Sequence, residues 1–246
     1  TVIYTLSLHD ALPICDYDED GRVSFEEAHA YAILTSRNID VPVKTSDAYL
    51  RVHSKLRSKD QKDLLGHDTP YSEIARLAGP VERAVLVGLS EQLGLEGEKR
   101  GSEIKKKSDK LAEELKKLKG RMKSQKKTLD GVRIEIARAV RNRWPALENE
   151  HSPGAVRLLS DERQRAEFVK AVESHPTYAK WNELKQERED LDAEELALSK
   201  TYATHRRFVR AFENVVYAAN LEIVAKEKVR AGYQQLLGAE RGSFGK

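Results

Sequence analysis

Oxygen-bearing side chains recur at regular spacing in one stretch of twelve residues, Asp16 to Glu27. Carboxylates stand at its first, third, fifth and twelfth positions. Ca²⁺ is a hard cation that takes about six to eight oxygen ligands, and a chain that wraps round the ion supplies them from alternate residues. Gly21, at the sixth position, permits the positive φ that such a bend requires. The expected ligands are Asp16, Asp18, Asp20, the backbone carbonyl of Arg22, Ser24 through a water molecule, and Glu27 with both carboxylate oxygens.

The same twelve residues resemble the calcium-binding loop of the EF-hand family, because the ligand positions and the glycine position match together. The resemblance implies Ca²⁺ as the cofactor. It also implies that Val23 occupies the apolar eighth position and that a helix leaves the loop near Phe25. The alternative is an acidic Asp/Gly turn that caps this helix and binds no metal.

A longer segment, from Asp16 to Tyr31 and on through residues 39–43 and 45–47, is similar to part of certain large bacterial proteins. Those proteins carry a caspase- or legumain-like peptidase domain upstream. The resemblance implies that a catalytic Cys and His would lie outside this chain, so no catalytic residue is assigned here. The seven histidines are scattered without metal-ligand spacing, and the chain has neither a nucleophile elbow nor a Gly-rich phosphate loop. We therefore expect the chain itself not to be an enzyme.

Residues 1–15 are expected to be a sequencing artefact and not native protein. The segment from Thr5 to Ile14 is the translation, in one frame, of a standard short-read sequencing adapter. The last adapter base falls in the codon of Cys15. On this interpretation the chain is a C-terminal fragment that has lost the native helix entering the calcium loop.

The composition favours an all-α protein. Charged residues make up 34% of the chain and hydrophobic ones 39%, which is typical of long, solvated helices. No apolar run approaches the length of a membrane span. The single cysteine excludes a disulfide scaffold, and the net charge of +3 is too small to favour a nucleic-acid partner. Nothing in the composition indicates a compartment.

Residues 16–95 are predicted to form a small helical domain that begins with the calcium loop. Helical periodicity and breakers predict helices over about 25–37, 47–57, 70–78 and 80–93. The last of these helices is the most apolar in the chain.

Residues 96–238 are predicted to form a long antiparallel coiled-coil hairpin, followed by a disordered tail over 239–246. One heptad position holds Ile104, Leu111, Leu118, Gln125, Val132 and Ala139, and a second holds Ser108, Leu115, Met122, Leu129, Ile136 and Arg143. Pro145 ends this helix, and a turn region extends to Pro176. The last helix is predicted from Thr177 to Leu237, with a seam that includes Trp181, Leu191, Val209, Phe212, Val216 and Ile223.

Opposite charges support the pairing of the two long helices. Between Lys99 and Arg143 there are 17 basic and 6 acidic residues, whereas between Trp144 and Lys200 there are 8 basic and 13 acidic ones. Folding the chain near residue 160 places the acidic run 187–195 beside residues 123–133. The lysines of the first helix could alternatively bind a nucleic acid or an anionic surface, but no aromatic residues interleave with them, which favours a solvated helix face.

Three functional hypotheses follow. The leading one is a helical, non-catalytic fragment that binds a structural calcium ion through a single EF-hand loop. The second is the regulatory or structural tail of a cysteine peptidase whose catalytic domain is missing. The third is a coiled-coil scaffold that binds no metal and has a protein partner or associates with itself. The sequence leaves an intramolecular hairpin and an intermolecular coiled coil both open.

Overall fold

A computed structural model describes residues 15–242, and this part of the chain is all-α, as predicted. It contains nine α-helices and one 3-10 helix, Pro145–Glu148, with no β-strand. The α-helices are α1 Phe25–Thr35, α2 Thr45–His53, α3 Tyr71–Leu77, α4 Pro80–Gln92, α5 Arg100–Arg143, α6 Pro153–Ser160, α7 Glu162–Glu173, α8 Tyr178–Val224 and α9 Glu227–Glu240. Among these helices none is both long enough and apolar enough to cross a bilayer. Of the segment interpreted as an artefact, all but Cys15 lies outside the described residues.

The chain divides into two compact units, and the division differs from the one predicted. Unit 1 comprises residues 15–112 and 198–242 in its described part, and unit 2 comprises Glu113–Ala197. The first turns of α5 and the second half of α8 therefore belong with the N-terminal helices, although the sequence assigned both to a separate hairpin. The reason is the width of the apolar surface on α8.

The core of unit 1 is built around the second half of α8. A two-stranded seam needs apolar residues only at alternating spacings of three and four. The buried residues on α8 form a broader stripe, Phe208, Val209, Phe212, Val215 and Val216. This stripe contacts a cluster from α1, α3, α4 and α5 that includes Ala30, Ile74, Leu86, Leu89 and Ile104. A stripe this wide is buried by several neighbours at once, so this half of α8 is a core helix.

The predicted continuous last helix is in fact two helices. α8 ends at Val224, and Lys226 has the extended backbone (φ −69°, ψ 155°) of an N-cap before α9. The break lets Tyr233 and Leu237 pack with Leu50 and Leu221. Ile223, which was predicted to lie in the seam, is 61% exposed. Helix α9 extends to Glu240, so the predicted disordered tail is helical at its start, and its residues 243–246 lie outside the described part.

In unit 2, α5 and α8 contact each other in antiparallel order. Arg188 Nη1 donates to the carbonyl of Met122 (3.3 Å), and Lys119 forms an ion pair with Glu195 (3.4 Å). The acidic run thus lies beside residues 119–122, one to two turns nearer the start of α5 than predicted. The chain thus reverses earlier than predicted, and Ser152, which was predicted to lie in a loop, is the N-cap of α6.

The apolar contacts of unit 2 also depart from a strict heptad. Val132, Ile136 and Val140 are buried together, whereas the predicted seam residue Ala139 is exposed. An α-helix has about 3.6 residues per turn, so its buried face drifts relative to a seven-residue repeat unless the helices supercoil. The spacing of four between these three residues follows that drift.

Two glycines of α5 provide a matched test of the packing in unit 1. A Cβ added at Gly101 would lie 2.7 Å from the His67 carbonyl oxygen and 2.5 Å from Phe212 Cζ, whereas one added at Gly120 would meet nothing within 4 Å. We expect Gly101→Ala to lower the free energy of unfolding by about 1–3 kcal/mol through overpacking. Gly120→Ala should raise it by roughly 0.5–1 kcal/mol through helix propensity. Denaturant unfolding followed by circular dichroism measures both, and equal effects would contradict the close approach.

Candidate metal centre

The loop between Asp16 and Ser24 bends round its own carboxylates. Gly21 has a φ of +78°, which its missing Cβ permits, and Glu19 also has a positive φ of 61°. Val23 is buried, and Ser24 is the N-cap of α1. The chain therefore turns tightly and enters α1 at the point that the sequence predicts.

Three predicted ligands converge. One carboxylate oxygen from each of Asp16, Asp18 and Glu27 lies within 4.8 Å of the other two. Ca²⁺ binds oxygens at about 2.3–2.6 Å, so two ligands on opposite sides of one ion lie roughly 5 Å apart. The three oxygens thus fit within the coordination shell of a single calcium ion, and their hard anionic character suits that ion.

Backbone N–H groups hold these carboxylates in place. The two oxygens of Asp16 accept hydrogen bonds from Asp20 N (3.1 Å) and Gly21 N (2.9 Å). Glu27, which is buried, accepts from Tyr17 N (2.7 Å) and Ser24 N (2.8 Å). The N-cap hydroxyl of Ser24 in turn accepts from Glu27 N, which completes a capping box. Glu27 therefore joins the start of the loop to the first turn of α1.

The remaining predicted ligands are placed differently. Asp20 lies outside the group of three converging carboxylates, because its Oδ1 accepts a hydrogen bond from Arg22 N (2.8 Å). An Asp side chain that bonds the backbone two residues on forms a local turn, which explains this position. The Ser24 hydroxyl donates to Glu27 Oε2 (2.9 Å). The roles of the Arg22 carbonyl and of a water bound to Ser24 stay predictions.

Two titratable side chains in and beside the loop have raised pKa values. Partial desolvation, together with the nearby charge of Glu27, raises the pKa of Asp18. Burial and the charges of Glu27 and Asp16 likewise raise the pKa of the Cys15 thiol. Burial is the largest cause of both shifts, and the nearby carboxylates add to it.

A buried ionic cluster, which the sequence does not reveal, fixes the helix that leaves the loop. Lys44 Nζ lies 3.1 Å from Glu26 Oε1 and 3.1 Å from Glu240 Oε2, and all three side chains are less than 9% exposed. Arg241 Nε approaches the second oxygen of Glu26 (3.4 Å). Ser46 donates to Glu240 from both its N–H (2.9 Å) and its hydroxyl (2.6 Å). The cluster therefore joins α1, α2 and α9 directly beside Glu27.

Replacing Lys44 should destabilise unit 1 strongly. Lys44→Met leaves two buried carboxylates without their shared cation, so we expect the free energy of unfolding to fall by about 3–5 kcal/mol. Lys105→Met is the matched control, because the ion pair of Lys105 with Asp109 is exposed on α5 and should contribute less than about 1 kcal/mol. Urea unfolding compares the two variants, and similar losses would contradict a stabilising buried cluster.

The contribution of Glu240 should depend on pH. Burial alone would raise its pKa, but the hydrogen bonds from Ser46 and the charge of Lys44 outweigh burial and hold the pKa below its ordinary value of about 4.5. A depressed pKa contributes stability above the unfolded-state value and loses it as the pH falls through the folded-state value. The stability difference between the wild type and Glu240→Gln should therefore be largest at neutral pH and shrink below about pH 4.5.

Unfolding titrations at a series of pH values test this dependence. Glu194→Gln, which removes an exposed ion pair with Arg121 (3.6 Å), is the control and should differ from the wild type by less than about 1 kcal/mol throughout. If the difference in unfolding free energy between the wild type and Glu240→Gln does not change with pH, ionisation of Glu240 does not stabilise the folded state.

Comparison of the chain with protein-family models, with curated proteins and with solved structures finds no match. The function is therefore inferred from the side chains themselves, and within residues 15–242 the loop from Asp16 to Glu27 offers the most specific chemistry.

Proposed function

We propose that the loop from Asp16 to Glu27 binds one calcium ion. The observation that supports this most is the convergence of the carboxylates of Asp16, Asp18 and Glu27 within 4.8 Å. These groups would hold the ion directly. Asp20, the Arg22 carbonyl and Ser24 complete the proposed ligand set on the strength of their spacing in the sequence. All of these proposed ligands belong to the loop itself.

The proposed role of the ion is structural. Glu27 would bind it from the first turn of α1, while the adjacent Glu26 lies in the ionic cluster with Lys44. An ion that binds only the folded loop stabilises the folded state by about 2.7 kcal/mol when its free concentration is 100 times the dissociation constant. The contact responsible for this stabilisation would be the one with Glu27, where the loop joins α1 and the core of unit 1.

A sensor role has less support. Calcium sensors open a helix pair and expose a Met-rich groove. Here α1 packs into the core through the buried Ala30 and the partly buried Ile33 and Leu34, and the chain has a single methionine. Binding at this loop would therefore stabilise an existing arrangement.

A second candidate function is protein interaction through the long helices. Unit 2 exposes several apolar side chains that a partner or a second copy could cover, among them Ile134, Val156, Val169 and Leu196. The coiled-coil partner itself stays a prediction. The interpretation as the tail of a cysteine peptidase, and the expectation that the chain is not an enzyme, also stay predictions, since the first concerns a segment upstream.

Calorimetric titration of the full chain with CaCl₂ tests the metal site. We expect saturable binding at one site in the wild type. Asp18→Asn keeps the acceptor oxygen for Asp20 N but removes a ligand charge, so its affinity should fall at least roughly tenfold, equivalent to about 1.4 kcal/mol. The control is Glu19→Gln, which removes one charge from the same loop at a position outside the ligand set.

Thermal unfolding with and without Ca²⁺ provides a second readout. The melting temperature of the wild type and of Glu19→Gln should rise on addition of Ca²⁺, and that of Asp18→Asn should rise less. Two results would overturn the proposal: no saturable binding by the wild type, or equal losses in Asp18→Asn and Glu19→Gln. The loop would then be only a capped turn.

A further inference from the structure

Unit 1 contains a cavity of about 400 Å³ whose lining includes Glu26 but none of the proposed calcium ligands. It is partly open to solvent and is lined by residues of α1, α2, α3, α4, α8 and α9. Its apolar walls are formed by side chains that include Ile33, Leu50, Val81, Val85, Val215 and Leu237. A volume of this size falls within the range of about 300–1,000 Å³ that small-molecule sites occupy.

Most of the basic groups on the cavity wall already have acceptors within the protein. Arg207 donates from Nη2 to the carbonyls of Asp40 (2.7 Å) and Asn38 (2.9 Å). Lys44 and Arg241 are engaged by the carboxylates of the ionic cluster. Arg207 and Lys44 therefore have structural roles, and Arg241, whose side chain is 60% exposed, contacts Glu26 alone in that cluster.

Arg210 differs from them. It lies on α8 one turn after Arg207, it is half-buried, and its Nε is buried without an acceptor among residues 15–242. No hydrogen bond or ion pair connects its guanidinium to this part of the chain. Its Nε is thus a buried donor that lacks an acceptor within the described residues, and guanidinium groups are most often buried against a carboxylate or phosphate.

The charges around Arg210 compensate its positive charge only in part. Burial and the neighbouring cations Arg51 and Arg206 lower the pKa of Arg210, against the opposing effect of the acids Glu213 and Asp47. Its nearest acid on α8, Glu213, is already engaged by His67 (2.9 Å) and by Arg51 (3.4 Å). An anion in the cavity would thus meet a positively charged site.

Two of the acids on the wall have cations as partners, and the other two have raised pKa values. Glu26 is paired within the ionic cluster, and Glu222 faces Arg230 (3.8 Å). Burial raises the pKa of Asp47, and burial together with the charge of Glu26 raises that of Glu82. Both shifts disfavour the charged forms of these two acids.

We propose that this cavity binds a small monocarboxylate with an apolar body. The carboxylate pairs with the guanidinium of Arg210, which can offer two parallel N–H donors. The hydrocarbon part contacts the apolar walls between α1, α4 and α9. This assignment does not rest on the proposed calcium site, because none of the proposed calcium ligands lines the cavity.

Titration of the full chain with sodium octanoate tests the proposal. Isothermal calorimetry should show saturable binding at one site in the wild type. Octan-1-ol and octylammonium have the same hydrocarbon length without the carboxylate, and each should bind at least roughly tenfold more weakly because neither offers a carboxylate to the guanidinium of Arg210.

Two substitutions on α8 form a matched pair for the same titration. Arg210→Gln should weaken octanoate binding at least roughly tenfold. Arg206→Gln removes an equal charge from a neighbouring position outside the cavity wall and should change the affinity less than about twofold. Circular dichroism confirms that each variant is folded. If Arg210→Gln does not fold, Arg210→Lys replaces it, and weaker binding is again expected because the planar pair of donors is lost.

Three results would overturn the proposal. The first is the absence of saturable octanoate binding by the folded wild type. The second is an equal affinity of octanoate for the wild type and for the folded Arg210 variant. The third is tighter binding of octylammonium than of octanoate, which would assign the cavity to a cation held by Asp47 or Glu82.

Discussion

The buried ionic contact of Lys44 with Glu26 and Glu240 is the constraint on which the arrangement of unit 1 depends. Its three charges come from α1, from the residue before α2 and from the last turn of α9, and together they are almost completely withdrawn from water. Withdrawing charges from water costs several kcal/mol per ion, so such a contact persists only when further hydrogen bonds complete it. The two hydrogen bonds from Ser46 supply part of this compensation. The contact therefore fixes which helices meet and in what register.

The second half of α8 supplies the apolar core of unit 1, beside this ionic contact. Phe208 and Phe212 are buried on one side of the helix, and Asn220 is also completely buried. Asn220 Nδ2 donates to the carbonyls of Lys55 (2.7 Å) and Leu65 (3.0 Å), and its Oδ1 accepts from Leu65 N (2.9 Å). These bonds hold the irregular segment between α2 and α3 against α8. One helix thus packs the core and also holds the loop beside it.

Local patterns predicted much of this structure, and long-range contacts account for the rest. The all-α class, the turn at Gly21 and the start of α1 follow from residues close together in the chain. No proline or glycine adjoins the break at Lys226, so local sequence does not predict it. The break is stabilised by long-range contacts, such as the hydrogen bond from Tyr49 Oη to the Val229 carbonyl (3.1 Å). The heptad pattern likewise could not distinguish a seam from a core helix, since Val209 and Phe212 suit both. Within the candidate site, spacing likewise predicts Asp20 as a ligand, but its hydrogen bond to the backbone of the loop places its carboxylate outside the converging group.

Glu26 and Glu27 are neighbours in the chain, and they connect the buried ionic cluster with the calcium loop. Successive residues on a helix point about 100° apart, so one carboxylate can face the loop while the other faces the ionic cluster. Any ion held by Glu27 would thereby restrict the same helical turn that Lys44 and Arg241 hold from the other side. The cavity shares Glu26 and Lys44 with that cluster, so occupation of the loop and of the cavity would act on one set of contacts. If the two sites are coupled in this way, thermodynamic linkage requires each ligand to alter the affinity of the other by the same factor.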